Sequence, residues 1–129
     1  MHPSGSQSIR IEIDTTGPNF LPELFDAEEV KEGAHVTFDD GSMITYAEKQ
    51  EMRSIDAGVV IVIVLSIPGA VVSTKKIVSW LVMRGPKPEH VDTVLVDRHI
   101  VEYNEGEIQR VIDELIQESH QTRAEDRPR

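Results

Sequence analysis

Val59-Val60-Ile61-Val62-Ile63-Val64-Leu65 is an unbroken aliphatic run, and the wider stretch 57–74 carries no charged side chain. The conformation of this stretch decides the fold. As a single helix its eighteen residues would reach about 27 Å, the lower limit for crossing a bilayer. Lys75 and Lys76 follow directly, as they do on the cytoplasmic side of a span. The internal punctuation argues the other way. Ser66-Ile67-Pro68-Gly69 interrupts the stretch near its centre and reads as a helix start, with Ser66 as cap and proline in the first turn. Each half is then too short to span, and the stretch reads as buried core. Residues 70–84 place Val71, Thr74, Ile77, Val78 and Leu81 on one broad helical face and stop at Gly85-Pro86. For residues 57–65 two conformations stay open: the β-branched side chains favour a strand, the neighbourhood a helix.

Outward from this centre the patterns are clearer. Ser8-Ile9-Arg10-Ile11-Glu12-Ile13-Asp14 alternates apolar and polar with period two, a half-buried strand that ends at Thr15-Thr16-Gly17-Pro18. Phe20, Leu21, Leu24 and Phe25 recur at helical spacing before the acidic stretch 26–32. His35-Val36-Thr37-Phe38 and Met43-Ile44-Thr45-Tyr46 flank Asp39-Asp40-Gly41-Ser42, a hairpin whose glycine supplies positive φ. Residues 47–53 carry good helix formers and read as the beginning of a helix. Beyond the linker Gly85-Pro86-Lys87-Pro88, residues 91–96 and 100–103 form a second hairpin turning at Asp97-Arg98-His99. Asn104 with Glu107 three residues on is a capping box. It opens a helix with Ile108, Val111, Ile112, Leu115 and Ile116 on one face and Gln109, Arg110, Asp113, Glu114 and Gln117 on the other.

These patterns predict one α+β domain over 8–121, with β-hairpins packed on an apolar helical pair and a C-terminal amphipathic helix. A flexible leader over 1–7 and a charged tail over 122–129 complete it. A length of 129 residues suits a single core, and 39% hydrophobic with 28% charged residues is globular composition. With no cysteine, disulfides, thiolate nucleophiles and thiolate metal sites are excluded. A cytoplasmic location is expected, since the N-terminus also lacks the basic-then-apolar pattern of a signal peptide.

The formal charge is −10. That sign repels phosphate backbones, which disfavours nucleic acid as a partner, and attracts basic proteins. Residues 1–57 hold twelve acidic against four basic side chains, and 95–129 hold nine against five. An apolar centre between acidic flanks points to anionic surfaces on a rigid core. The candidate partner-binding residues are Asp26, Glu28, Glu29 and Glu32, or Asp39 and Asp40 together with Glu102 and Glu105.

Patterns for catalysis are thin. Among His2, His35, His90, His99 and His120 no pair has the i, i+4 spacing of a helical zinc site. His90-x-Asp92 and Asp97-x-His99 pair imidazole with carboxylate, but at turns, where such residues are usually solvated. The chain has no phosphate-binding glycine loop and no G-x-S-x-G elbow. Asp39-Asp40-Gly41 lacks the further ligands of a calcium loop. Trp80 reads as core packing rather than an interface anchor. A non-catalytic protein with no cofactor or metal is expected.

The order strand, short helix, hairpin, apolar double element, hairpin, helix, with Ile77-Val78-Ser79-Trp80-Leu81 before a Gly/Pro linker, resembles the small effector-associated accessory proteins of bacterial conflict systems. The resemblance covers about the last two thirds of the chain. Size and acidity are also similar to those of immunity proteins. That likeness of physical type, with the negative charge, gives the leading expectation: an inhibitor that neutralises a cognate bacterial toxin, a nuclease first of all, by blocking its basic active site. The alternative is a membrane-associated accessory subunit using residues 57–82.

Overall fold

A computed structural model describes residues 6–16, 19–51, 58–69 and 73–126. Six strands and three helices follow one another among them: β1 Ser6–Thr15, α1 Leu21–Phe25, β2 His35–Thr37, β3 Met43–Glu51, β4 Val59–Pro68, α2 Lys75–Arg84, β5 Val91–Val96, β6 His99–Val101 and α3 Glu105–Asp126. The strands make one antiparallel sheet in the order β2-β3-β4-β1-β5-β6. This is the α+β class the sequence predicts.

The aliphatic run is β4, hydrogen-bonded to β1 on one side and β3 on the other. The expected helical pair is therefore one strand and one helix. Two forces decide it: β-branched side chains fit a pleated surface, and a central strand satisfies its backbone groups on both flanks. Ser66 and Pro68, expected to start a helix, instead lie among the last residues of this strand, opposite Ser8 and Ser6. The helix begins at Lys75, with Thr74 before it; Val71 lies outside the described residues. No helix among the described residues is long and apolar enough to cross a membrane.

Residues 47–51, where the sequence favours the beginning of a helix, continue β3. Pairing of Glu48 with Val62 and of Gln50 with Val60 overrides their helical propensity, and a bulge at Ala47 absorbs the change of register. Met52 and Arg53 lie outside the described residues. Of the expected leader, Ser6 and Gln7 already belong to β1, and residues 1–5 lie outside the described part. The backbone of α3 runs through Asp126, past the boundary placed at 121.

One face of the sheet carries the core. Ile9, Ile11 and Ile13 of β1 stand opposite Leu65, Ile63 and Ile61 of β4, and Val94 and Val96 of β5 extend the layer. Leu21, Leu24 and Phe25 of α1, Ile77, Val78 and Leu81 of α2, and Ile108 and Ile112 of α3 close over it. Both β4 and β5 run antiparallel to β1, so β4-α2-β5 is a parallel crossover that skips one strand. The edge strands β2 and β6 are only three residues each.

Polar contacts fix the helices at their ends. The Thr74 hydroxyl donates to Asp113 Oδ1 of α3 (2.8 Å). The Glu107 N–H donates to Asn104 Oδ1 (2.8 Å), so Asn104 caps α3 as predicted. The reciprocal half of the capping box is replaced: the Asn104 N–H donates to Glu102 O (2.9 Å), and the Glu107 carboxylate accepts from Arg110 (2.8 Å). The second hairpin turns on two residues, Asp97 (φ 50°) and Arg98 (φ 75°), the positive-φ pair that matches strand twist. His99, expected in the turn, opens β6.

The Tyr103 hydroxyl donates to Pro86 O (2.8 Å) and ties the start of α3 to the α2–β5 connection. Burial pushes its pKa up to about 12. An unfolded phenol ionises near 10, so between about pH 10 and about pH 12 the unfolded chain releases a proton that the folded chain keeps. Stability conferred by this group is complete below about pH 10 and falls across that window; the full difference is worth about 2.7 kcal/mol, reduced to about 2 kcal/mol by the solvent that reaches the half-buried ring. Urea denaturation from about pH 9 to about pH 12 is expected to show a steeper loss in the parent than in Tyr103→Phe, which keeps the raised phenol of Tyr46. Equal slopes for the two proteins would show that the phenol stays solvated.

Candidate functional site

The acidic stretch after α1 forms a held, exposed ridge. Leu21, Leu24 and Phe25 anchor α1 in the core, and Asp26 ends it in a left-handed conformation (φ 52°). The Ala27 N–H returns to Pro22 O (3.0 Å), and at the far end the Gly33 N–H donates to Tyr46 O (2.8 Å) with φ 96° at Gly33. Between these clamps Asp26, Glu28, Glu29 and Glu32 are all exposed, as is Glu23 one turn earlier. Lys31 is the one cation within 23–32. Glu32 comes close enough to Tyr46 that its charge, after burial, raises the phenol pKa.

The ridge meets the end of α2. Glu23, Asp26 and Glu28, with Pro22 and Ala27, line a shallow depression of about 500 Å³ whose remaining wall is Arg84. That guanidinium lies 3.9 Å over the centre of the Trp80 ring. The indole N–H donates to Leu24 O (2.9 Å) and the ring meets Phe38 edge-on, with centroids 5.3 Å apart. Trp80 thus packs as expected, and it also holds the ridge against α2. Glu23 and Arg84 join the site without a signal in the sequence. Glu23 reads there as an ordinary helical position, and Arg84 reaches the ridge only through the packing of α2 on α1.

The other candidate residues do not form one surface. Asp39 and Asp40 occupy the β2–β3 turn, whereas Glu102 follows β6 and Glu105 opens α3. Strands β2 and β6 are the opposite edges of the sheet, about 24 Å apart at the usual strand spacing. Asp40 serves the turn itself, since its Oδ1 accepts the Ser42 N–H (2.8 Å), which holds its carboxyl below the ordinary range. Asp39 pairs with Lys76 of α2 at 3.4 Å. Glu105 sits in the first turn of α3, where a carboxylate complements the helix dipole.

His90 and His99 occupy separate places: His90 ends a 3-10 turn, Pro88–His90, and His99 starts β6. The His90 carbonyl accepts from the Thr16 N–H (3.0 Å) and the Thr15 hydroxyl (2.8 Å), which binds the turn to the end of β1. Among the described residues no group of three His, Cys, Asp or Glu is placed to hold a metal ion.

A second set of charges lies on the sheet face that no described helix covers. Arg10 of β1 reaches Glu12 at 3.7 Å and Glu48 of β3 at 3.8 Å. Glu12 and Glu48 both stand opposite Val62 of β4, whose side chain is 0% exposed although it points away from the core. The bridged side chains close over it, their stems shielding the valine. The sequence alternation of 8–14 shows that Arg10, Glu12 and Asp14 share a face. It does not reveal Glu48, whose local sequence favours a helix.

Comparison with known protein families, curated proteins and solved structures finds no match for this chain.

Proposed function

We propose that this chain is a non-catalytic protein-binding domain of the immunity type, which neutralises a basic toxin domain, a nuclease above all, by laying acidic surface over its cationic substrate channel. The observation that carries this reading is the ridge: five exposed carboxylates within 23–32, clamped by buried α1 at one end and by the Gly33–Tyr46 hydrogen bond at the other. Held carboxylates bind a cationic surface without first losing the freedom of a loop. They also raise the encounter rate with it. A nucleic-acid-cleaving site is itself cationic, so such a ridge competes directly with the substrate.

Titration calorimetry against the product of the neighbouring gene tests the proposal. Tight binding is expected, weakening about tenfold or more between about 50 and about 300 mM salt. Glu28→Lys combined with Glu29→Lys is expected to cost about a hundredfold in affinity, since like charges at a contact repel. Absence of binding, or binding indifferent to salt and to this double variant, overturns it.

A further inference from the structure

The helix-free face of the sheet has a regular composition. Pairing across the strands aligns Glu48, Val62, Glu12, Leu95 and Ile100 in one row running from β3 to β6. The next row holds Gln50, Val60, Asp14 and Thr93, with Glu102 just beyond β6. Asp92 is the extra residue of a bulge beside Asp14. Within the described residues of these strands the acids Glu12, Asp14, Glu48 and Asp92, with Glu102 at the margin, share this face with the single cation Arg10. Val60, Val64 and Leu95 are only half-buried, and Ile100 is 80% exposed.

An apolar side chain as open as Ile100, next to Leu95 in the same row, is unsatisfied surface rather than core. The notch beside it makes this concrete. β6 pairs only with 94–96 of β5, so among the described residues Val91, Asp92 and Thr93 have no strand on that side. A cavity of about 340 Å³ opens there, bounded by Ile100, Glu102 and Tyr103.

We infer that this face is a second docking surface, and that its occupant is a cationic, partly apolar segment of another protein, seated over Leu95 and Ile100 with its basic groups on Asp14, Asp92 and Glu102. Charge decides among the possible occupants. A second copy of this chain would bring the same acidic surface against itself, and a nucleic acid would bring phosphates. A basic segment meets opposite charge everywhere except at Arg10, which already has two carboxylate partners. Asp14 in particular gains: burial and the neighbouring Asp92 hold its carboxyl above the ordinary range, and a cation there offsets both. The six strands, from ten residues in β1 and β4 down to three in β2 and β6, make a face of about 650 Å² at the usual strand spacing and rise, somewhat below the roughly 800 Å² per partner of a standard interface.

The surface lies on the side of the sheet away from α1 and is independent of the ridge. A capped peptide of alternating arginine and leucine serves as the probe, followed by amide NMR. Shifts are expected along 10–14, 60–64, 93–95 and at Ile100, with affinity reduced about tenfold by Asp14→Asn with Asp92→Asn and about threefold by Ile100→Ser. With Glu28→Lys and Glu29→Lys the shifts along 93–95 and at Ile100 are expected to persist while any shifts within 23–32 disappear, which separates the result from that of the ridge. Shifts confined to 23–32, equal binding of a glutamate–leucine peptide, insensitivity to the Asp14 and Asp92 changes, or a dimer in sedimentation with the face buried would each overturn the inference.

Discussion

Replacing Trp80 by alanine is expected to destabilise the fold by about 3 kcal/mol, toward the lower end of large aromatic truncations because the ring is not fully enclosed. The loss has three parts. The edge-on contact with Phe38 disappears, which leaves the Lys76–Asp39 pair to join α2 to the β2–β3 turn. Leu24 O loses the donor that satisfies it at the end of α1. Arg84 loses the ring that orients it toward Glu23, Asp26 and Glu28. Trp80→Phe keeps most of the packing and forfeits the N–H, so it is expected to recover about half of the loss. Urea denaturation of the two variants measures both contributions. A cost below about 1 kcal/mol for alanine would mean that the ring does not join α1 to α2.

Ile63→Ala is expected to cost about 4 kcal/mol, since Ile63 is 0% exposed in the middle of the core layer opposite Ile11. Its neighbour supplies the informative contrast. Val62 points to the opposite face, where an ordinary half-solvated strand would tolerate alanine. It is equally inaccessible under Arg10, Glu12 and Glu48, so Val62→Ala is expected to cost about 2 kcal/mol. Denaturation midpoints at low and high salt measure this. A neutral Val62→Ala would show that the charged side chains do not stay closed over the valine.

The apolar outer face of β4 explains why it is hard to identify from sequence. A strand with Val60, Val62 and Val64 on one face and Ile61, Ile63 and Leu65 on the other has no period, and an aperiodic apolar run reads equally as helix. Only its β-branched residues tip the balance. Residues 47–51 mislead for a related reason: Glu48, Lys49 and Gln50 favour helices in isolation, and pairing with β4 outweighs that preference. Where one local cause dominates, pattern and structure agree. The alternation of Ile9, Ile11 and Ile13, the glycine of the first hairpin and the cap at Asn104 all sit where the pattern puts them.

The site divides along the same line. Asp26, Glu28, Glu29 and Glu32 are neighbours in the chain and so are neighbours on the ridge. Grouping Asp39 and Asp40 with Glu102 and Glu105 depends on the strand order, which places them at opposite edges. The charged row over Val62 depends on the register of β3, β4 and β1 across long separations in sequence. Neither quantity is written in local composition.

The brevity of β2 and β6 bears on how this molecule fails. Val59-Val60-Ile61-Val62-Ile63-Val64-Leu65 has the makings of a steric zipper, uncharged and free of proline and glycine. In the native arrangement it lies two places from one margin of the sheet and three from the other, while the margins themselves offer too little backbone to template growth. Fraying of either short edge strand leaves β4 paired on both sides, so the backbone of the hazardous heptad is freed only when β3 or β1 detaches from it. Conversion to fibrils is thereby coupled to loss of the central pairing rather than to breathing of the edges.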